Sequence, residues 1–332
     1  MGGRPTNENF IKFAKSAKLY KVPYAMTTVQ KLQMLQRISG LTQTELAQQL
    51  GVSFVSFNRW ITGKAAPRRK AEQRIDALYR AFAGLTIIPE EALAAKKAIV
   101  MRKARTKRNV LRTILNHPDI RDQFVLVLTY TSNSIEGSTL TEAETAAVLF
   151  QNAALPDKTL TEQLEAKNHQ TALLYVFFHL LKKKPLDEDF ILRLHGMLMN
   201  GIHADAGSYR RHGVRIVGAD VPTANYLKVP ELVEKLTKKV RVRRTDAIEH
   251  VATVHAEFEK IHPFSDGNGR IGRLLMHAML LRSNLPPAVI RPEKKRLYYA
   301  CLNTAQKKGD TTLLQDFICD GVLEGWEIVE RK

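Results

Sequence analysis

The sequence predicts an all-α chain folded as two domains. Three observations carry this. Apolar residues recur at helical spacing through most of the 332 residues, and glycines cut that spacing into helix-sized pieces. Only one short run, Val214–Gly218 (VRIVG), has strand composition; it lies between Gly213 and Pro222 and suggests a hairpin or flap. Hydrophobic residues make up 44% and charged residues 25%, which suits a packed globular core.

The elements follow in chain order. Residues 1–27 are polar and basic with scattered aromatics and read as an N-terminal arm. Residues 28–85 hold short helical patterns broken at Gly40, Gly51 and Gly63, through Leu32, Leu35, Leu46, Ala47, Leu50, Phe57 and Trp60. Residues 86–109 include KKAIVMRKARTKR, which reads as a solvated basic linker helix. Residues 110–325 are a third region, dominated by helical patterns.

A net charge of +18 points to polyanionic partners such as nucleic acid, nucleotide phosphates or an acidic protein. Two cysteines, Cys301 and Cys319, exclude a disulfide framework and suit a reducing compartment. The N-terminus lacks the apolar run of a signal peptide, and no apolar stretch reaches membrane-spanning length. The expectation is a cytoplasmic protein with no membrane contact.

In LTQTELAQQLGVSFVSFNRWITG, Leu41–Gly63, Gly51 supplies a turn between two helices whose apolar residues can pack inward. Ser53 is an N-cap, and Ser53, Phe54, Val55, Asn58 and Arg59 would face a groove, followed by Lys64, Arg68, Arg69 and Lys70 for phosphates. The stretch resembles the Cro and phage-repressor type of helix-turn-helix domain, which implies binding to duplex DNA through Ser53, Phe54, Asn58 and Arg59. A helical docking module is the competing reading.

The chemistry lies in HPFSDGNGRIGR, His262–Arg273, a loop between two helical stripes. GNGRIG also satisfies the dinucleotide-binding fingerprint, but that motif needs a strand in front of it, and here a helical pattern precedes it. Gly267 and Gly269 let backbone amides approach an anion at the start of the following helix. Arg270 and Arg273 can clamp further oxygens, Asp266 is a hard ligand suited to Mg²⁺, and His262 can take a proton from an attacking hydroxyl.

This loop resembles the Fic family signature: His, Phe, Asp, Gly-Asn-Gly-Arg, then Arg three residues later. The likeness extends over about Val110–Val322, through LEAKNHQTALLY, GSYRRHGVRIVG and YYACLNTAQKKGD. It implies a Fic helical fold with a small β-hairpin flap and transfer of AMP from Mg·ATP to a Ser, Thr or Tyr hydroxyl of a target protein, the chain itself included. It also implies His262 as general base, Asp266 on Mg²⁺, and Gly267, Asn268 and Gly269 around the α-phosphate. Arg270 and Arg273 would hold the outer phosphates, and Tyr298 and Gln306 would line the nucleotide pocket. Ile216, Val217 and Gly218 would form a flap that docks the target.

Upstream, Ser132, Glu136 and Gly137 in TSNSIEG resemble the inhibitory motif of Fic proteins, which implies that Glu136 pairs with Arg273 in place of the γ-phosphate. Rival readings on the same residues are AMP removal, another nucleotidyl or phosphocholine transfer, and a DNA-binding regulator that only senses nucleotide. A homo-oligomer is compatible with all of them.

Overall fold

The computed structural model describes residues 27–331 except 40, 83–87, 89, 216–220 and 243. Most of the expected arm, and the flap residues Ile216, Val217 and Gly218, therefore lie outside the described residues. Among those described there are helices and no strand. The chain divides into two compact units, Met1–Gly84 and Leu85–Lys332.

The smaller unit contains α1 (Thr28–Ser39), α2 (Gln43–Leu50), α3 (Phe54–Ile61) and α4 (Arg69–Phe82). Its core is Leu32, Leu35, Leu46, Ala47, Leu50, Phe57, Ile61, Ile75 and Tyr79. A reciprocal capping box between Thr42 and Glu45 starts α2, and Gly51 ends it at φ 65°, a left-handed conformation that costs glycine little. The Ser53 side chain then caps α3 by accepting from the Ser56 amide. Phe54 and Val55 stand exposed on α3, while Asn58 Nδ2 donates to Gln43 Oε1 of α2 at 3.2 Å.

The larger unit begins with α5 (Glu90–Thr106), where a solvated linker helix was expected. Instead α5 packs along α15 (Thr312–Val329), burying Leu93, Val100 and Ala104. Lys96 bridges Asp316 at 2.5 Å and Asp320 at 2.9 Å. The basic residues fringe an apolar stripe, and that stripe docks the helix.

Then come α6 (Val110–Asn116), α7 (Pro118–Glu136), α8 (Glu142–Gln151), α9 (Leu160–Leu181), α10 (Glu188–Leu198), α11 (Val229–Arg241), α12 (Ala247–Ile261), α13 (Asn268–Arg282), α14 (Lys295–Lys308) and α15. The centre is α13, of whose 15 residues all but Gly269 and Arg282 are buried. A helix buried on every side sits inside a bundle, and α13 is packed by α7, α9, α10 and α12. The helix, with the loop His262–Gly267 in front, is thereby held by α12, which precedes it, and by three elements far from it in sequence. No described helix is long and apolar enough to cross a membrane.

Candidate active site

His262 ends α12 in a left-handed conformation, φ 51° and ψ 63°, uncommon for a residue with a side chain. Its amide donates to Phe258 O at 3.0 Å, and its Nδ1 lies 3.2 Å from Glu259 O. A carbonyl can only accept, so Nδ1 carries the proton and Nε2 is left with its lone pair. Burial pulls the imidazole pKa below its ordinary value; the Glu259 carbonyl, Glu136 and Asp266 oppose this, and Arg210 reinforces it. A neutral histidine with a free Nε2 is the form a general base requires.

The loop is braced from below. Phe264, fully buried, stacks on His195 with ring centroids 3.7 Å apart. His195 Nδ1 accepts from the Gly207 amide at 2.9 Å, so its Nε2 donates to Asp266 O at 3.2 Å. Burial lowers the His195 pKa to about 4, keeping it neutral. Sequence reading assigned His195 nothing, because its partners lie 12 and 71 residues away.

Asn268 departs from its expected role. Its Oδ1 accepts from Phe264 N at 2.9 Å and its Nδ2 donates to Phe264 O at 2.8 Å, so the side chain closes the loop rather than facing a ligand. The backbone remains open. The first α13 amide bonded within the helix is that of Ile271, to Gly267 O, and no side chain caps this end. The amides of Asn268, Gly269 and Arg270 are thus available to an anion.

Two buried arginines flank them, each 2% exposed. Arg270 Nη1 donates to Glu165 Oε1 at 2.5 Å and Nη2 to Asp266 Oδ2 at 3.3 Å. Arg273 Nε donates to Ser132 Oγ at 2.9 Å, and Nη2 to Ser132 O at 3.0 Å and Glu136 Oε1 at 2.6 Å. Gly269 makes room for this contact, since a Cβ there would sit 2.3 Å from Glu136 Oε1. Gly137, at φ 112°, ends α7 just beyond Glu136. Glu165 was not singled out in the sequence.

Tyr298 is packed inside the bundle. It is 1% exposed, and its hydroxyl meets His255 Nε2 at 2.7 Å, so its ring braces α12 against α14. Tyr299, one residue on, is partly exposed, and its pKa is raised to about 12 by burial and by Glu136, with Arg273 opposing. Both rings lie near Arg273, Tyr298 from within the core and Tyr299 from the partly open side. Gln306 Nε2 donates to Ala256 O at 3.3 Å, tying α14 to α12.

For a divalent cation the donor set is Asp266, whose side chain is exposed and whose Oδ1 also accepts from the Gly267 amide at 2.6 Å. No cluster of three or more His, Cys, Asp or Glu occurs among the described residues. That fits Mg²⁺, which is held by one or two carboxylates together with substrate phosphates.

Residues 185–280 match the Fic/DOC family. The match covers α10, α11, α12, the His262–Gly267 loop and nearly all of α13. The Protein adenylyltransferase Fic of Nematostella vectensis is 37% identical over 187 residues, 53% of this chain and 42% of that protein. That of Drosophila erecta is 31% identical over 193 residues, 58% of this chain and 39% of that protein. The chain thus spans about two-fifths of the length of these relatives.

Among solved structures, a Fic family protein from Desulfovibrio desulfuricans is 25% identical, covers 74% of this chain and 77% of its own, and has a TM-score of 0.60. A Fic-1 fragment from C. elegans shares the fold at 22% identity and a TM-score of 0.63, covering 97% of this chain and 91% of its own.

Proposed function

We propose that this chain is a protein adenylyltransferase that moves AMP from Mg·ATP to a hydroxyl of a target protein or of itself, is held back by Glu136, and binds duplex DNA through its smaller unit. The observation that carries the transferase reading is the convergence of the neutral His262, the open amides of Asn268, Gly269 and Arg270, and the paired arginines at one helix N-terminus. Relatives named protein adenylyltransferase support it.

In this reading the amides and the helix dipole hold the α-phosphate, and Arg270 and Arg273 hold the outer phosphates. The target hydroxyl loses its proton to His262 Nε2 as its oxygen bonds to the α-phosphorus; the bond to the bridging oxygen breaks and pyrophosphate leaves. Asp266 would hold Mg²⁺, which would neutralise charge on the outer phosphates.

The brake reading rests on Arg273, whose Nη2 and Nε already serve Glu136 and Ser132. Nη1 has no partner but is buried, so while Glu136 stays in place the guanidinium offers a γ-phosphate no open edge. In the smaller unit, the exposed N-terminal turn of α3 would enter a groove, with Phe54 offering apolar contact, Ser53 and Arg59 polar contact, and Asn58 pre-oriented by Gln43.

The deciding experiment incubates the chain and a lysate with Mg²⁺ and ATP labelled on the α- or the γ-phosphate. Label should enter protein from the α-position alone. His262→Ala should slow it by about 10²- to 10⁴-fold while ATP affinity holds. Label arriving from the γ-position, or undiminished transfer by His262→Ala, would reject the reading.

A further inference from the structure

Arg210 is an arginine almost wholly withdrawn from water, 2% exposed, and among the described residues it pairs with no carboxylate. A buried cation is costly unless its donors are satisfied. Here only backbone carbonyls satisfy them. Nε donates to His262 O at 2.7 Å, Nη1 to His212 O at 2.8 Å, and Nη2 to Ala224 O at 2.6 Å and Ile261 O at 3.3 Å. The Arg210 amide adds a bond to Pro263 O at 3.0 Å. Two of the carbonyls, Ile261 and His262, close the C-terminus of α12, where the helix dipole favours a positive charge.

His262 needs such a hold. Its left-handed backbone is unfavourable for a residue with a Cβ and persists only where its surroundings impose it. The bonds to Phe258 O and Glu259 O come from α12 itself; those of Arg210 reach the same turn from outside. We propose that Arg210 is the positioning residue for the general base: by joining the His262 carbonyl to His212 and Ala224, it fixes where the imidazole points. This rests on the transferase reading above.

Lysine cannot replace it, because one ammonium group lacks the planar fork that reaches four carbonyls in different directions. No bond of Arg210 reaches Arg270, Arg273 or the open amides of α13. Its loss should therefore leave nucleotide binding alone. The charges facing His262 are Arg210, Glu136 and Asp266; removing the first should raise the imidazole pKa.

The test uses the full chain with Arg210→Lys and Arg210→Ala, following ATP affinity, the single-turnover rate of AMP transfer at saturating ATP, and the titration of His262 by NMR of ¹³C-labelled histidine. Misplacement of a reacting group can cost on the order of 100-fold. The expected result is a rate loss of about that size in Arg210→Ala, a loss in Arg210→Lys of at least about tenfold, ATP affinity within about twofold, and a raised His262 pKa in Arg210→Ala.

A wild-type rate in Arg210→Lys, or ATP affinity falling in step with the rate, would overturn the proposal. If the unaltered chain transfers no AMP, the transferase reading fails by itself. The NMR titration then still decides, since an unmoved His262 would dismiss Arg210 as its positioner. Should Arg210→Ala not fold, Arg210→Lys decides through rate and ATP affinity, or through a changed His262 ring signal if no transfer occurs.

Discussion

Glu136 Oε1 lies 2.6 Å from Arg273 Nη2, over the bare Cα of Gly269. A carboxylate thus rests on the first turn of the helix whose N-terminal amides face outward, joining α7 to the phosphate-binding elements of the proposed mechanism. Arg273 is 2% exposed and the Glu136 side chain 31%, so the pair is shielded on one side and open on the other. A carboxylate so placed can swing away without unpacking the core.

Asn268→Ala should destabilise the protein in the absence of any nucleotide. The change leaves Phe264 N and O without their partner, and Phe264 is fully buried. Orphaning such groups costs about 1–3 kcal/mol each. Urea denaturation of the ligand-free variant measures this; unchanged stability would return Asn268 to a direct role on phosphate.

Glu259 makes stability depend on pH. Its carboxyl is buried with Oε1 unpartnered, and burial pushes its pKa from 4.5 to about 8, Arg273 opposing and Glu136 adding. Below about pH 4.5 both the folded and the unfolded chain keep this proton and nothing is lost. From there to about pH 8 the unfolded chain ionises while the folded one does not, so stability falls as pH rises. Glu259→Gln removes the ionisation, so its melting temperature relative to wild type should climb between about pH 5 and about pH 8. Parallel melting curves would contradict this.

If α3 contacts DNA, the full chain should retard duplex DNA at about 50 mM salt and lose that binding steeply toward about 200 mM, as released counterions dictate. Arg59→Ala should weaken binding at all salts. No retardation at low salt would leave the smaller unit as a docking module.

The helical nature of the chain was legible because apolar spacing is a local property, and so was the end of α7, where Gly137 adopts φ 112°. The Arg270–Glu165 and Arg210–His262 contacts were not, since they join residues 105 and 52 apart and depend on how α9 and the 208–212 segment lie against the loop. Tyr298 against Tyr299 marks a finer limit. Neighbours on a helix point about 100° apart, so which tyrosine is buried depends on the phase of α14 against α12, which the YY pair alone does not carry. In α5 the charge run hid the stripe of Leu93, Val100 and Ala104 that docks it.

The central claim is that Glu136 restrains AMP transfer by occupying Arg273. The most direct measurement is incorporation of label from α-labelled ATP, with Mg²⁺, by wild type, Glu136→Gly and the double variant Glu136→Gly/Arg273→Ala. Freeing a preorganised cation for transition-state charge should raise transfer by about 10- to 100-fold in Glu136→Gly, and adding Arg273→Ala should remove that gain. Equal labelling by wild type and Glu136→Gly, or a gain that survives the loss of Arg273, would contradict it.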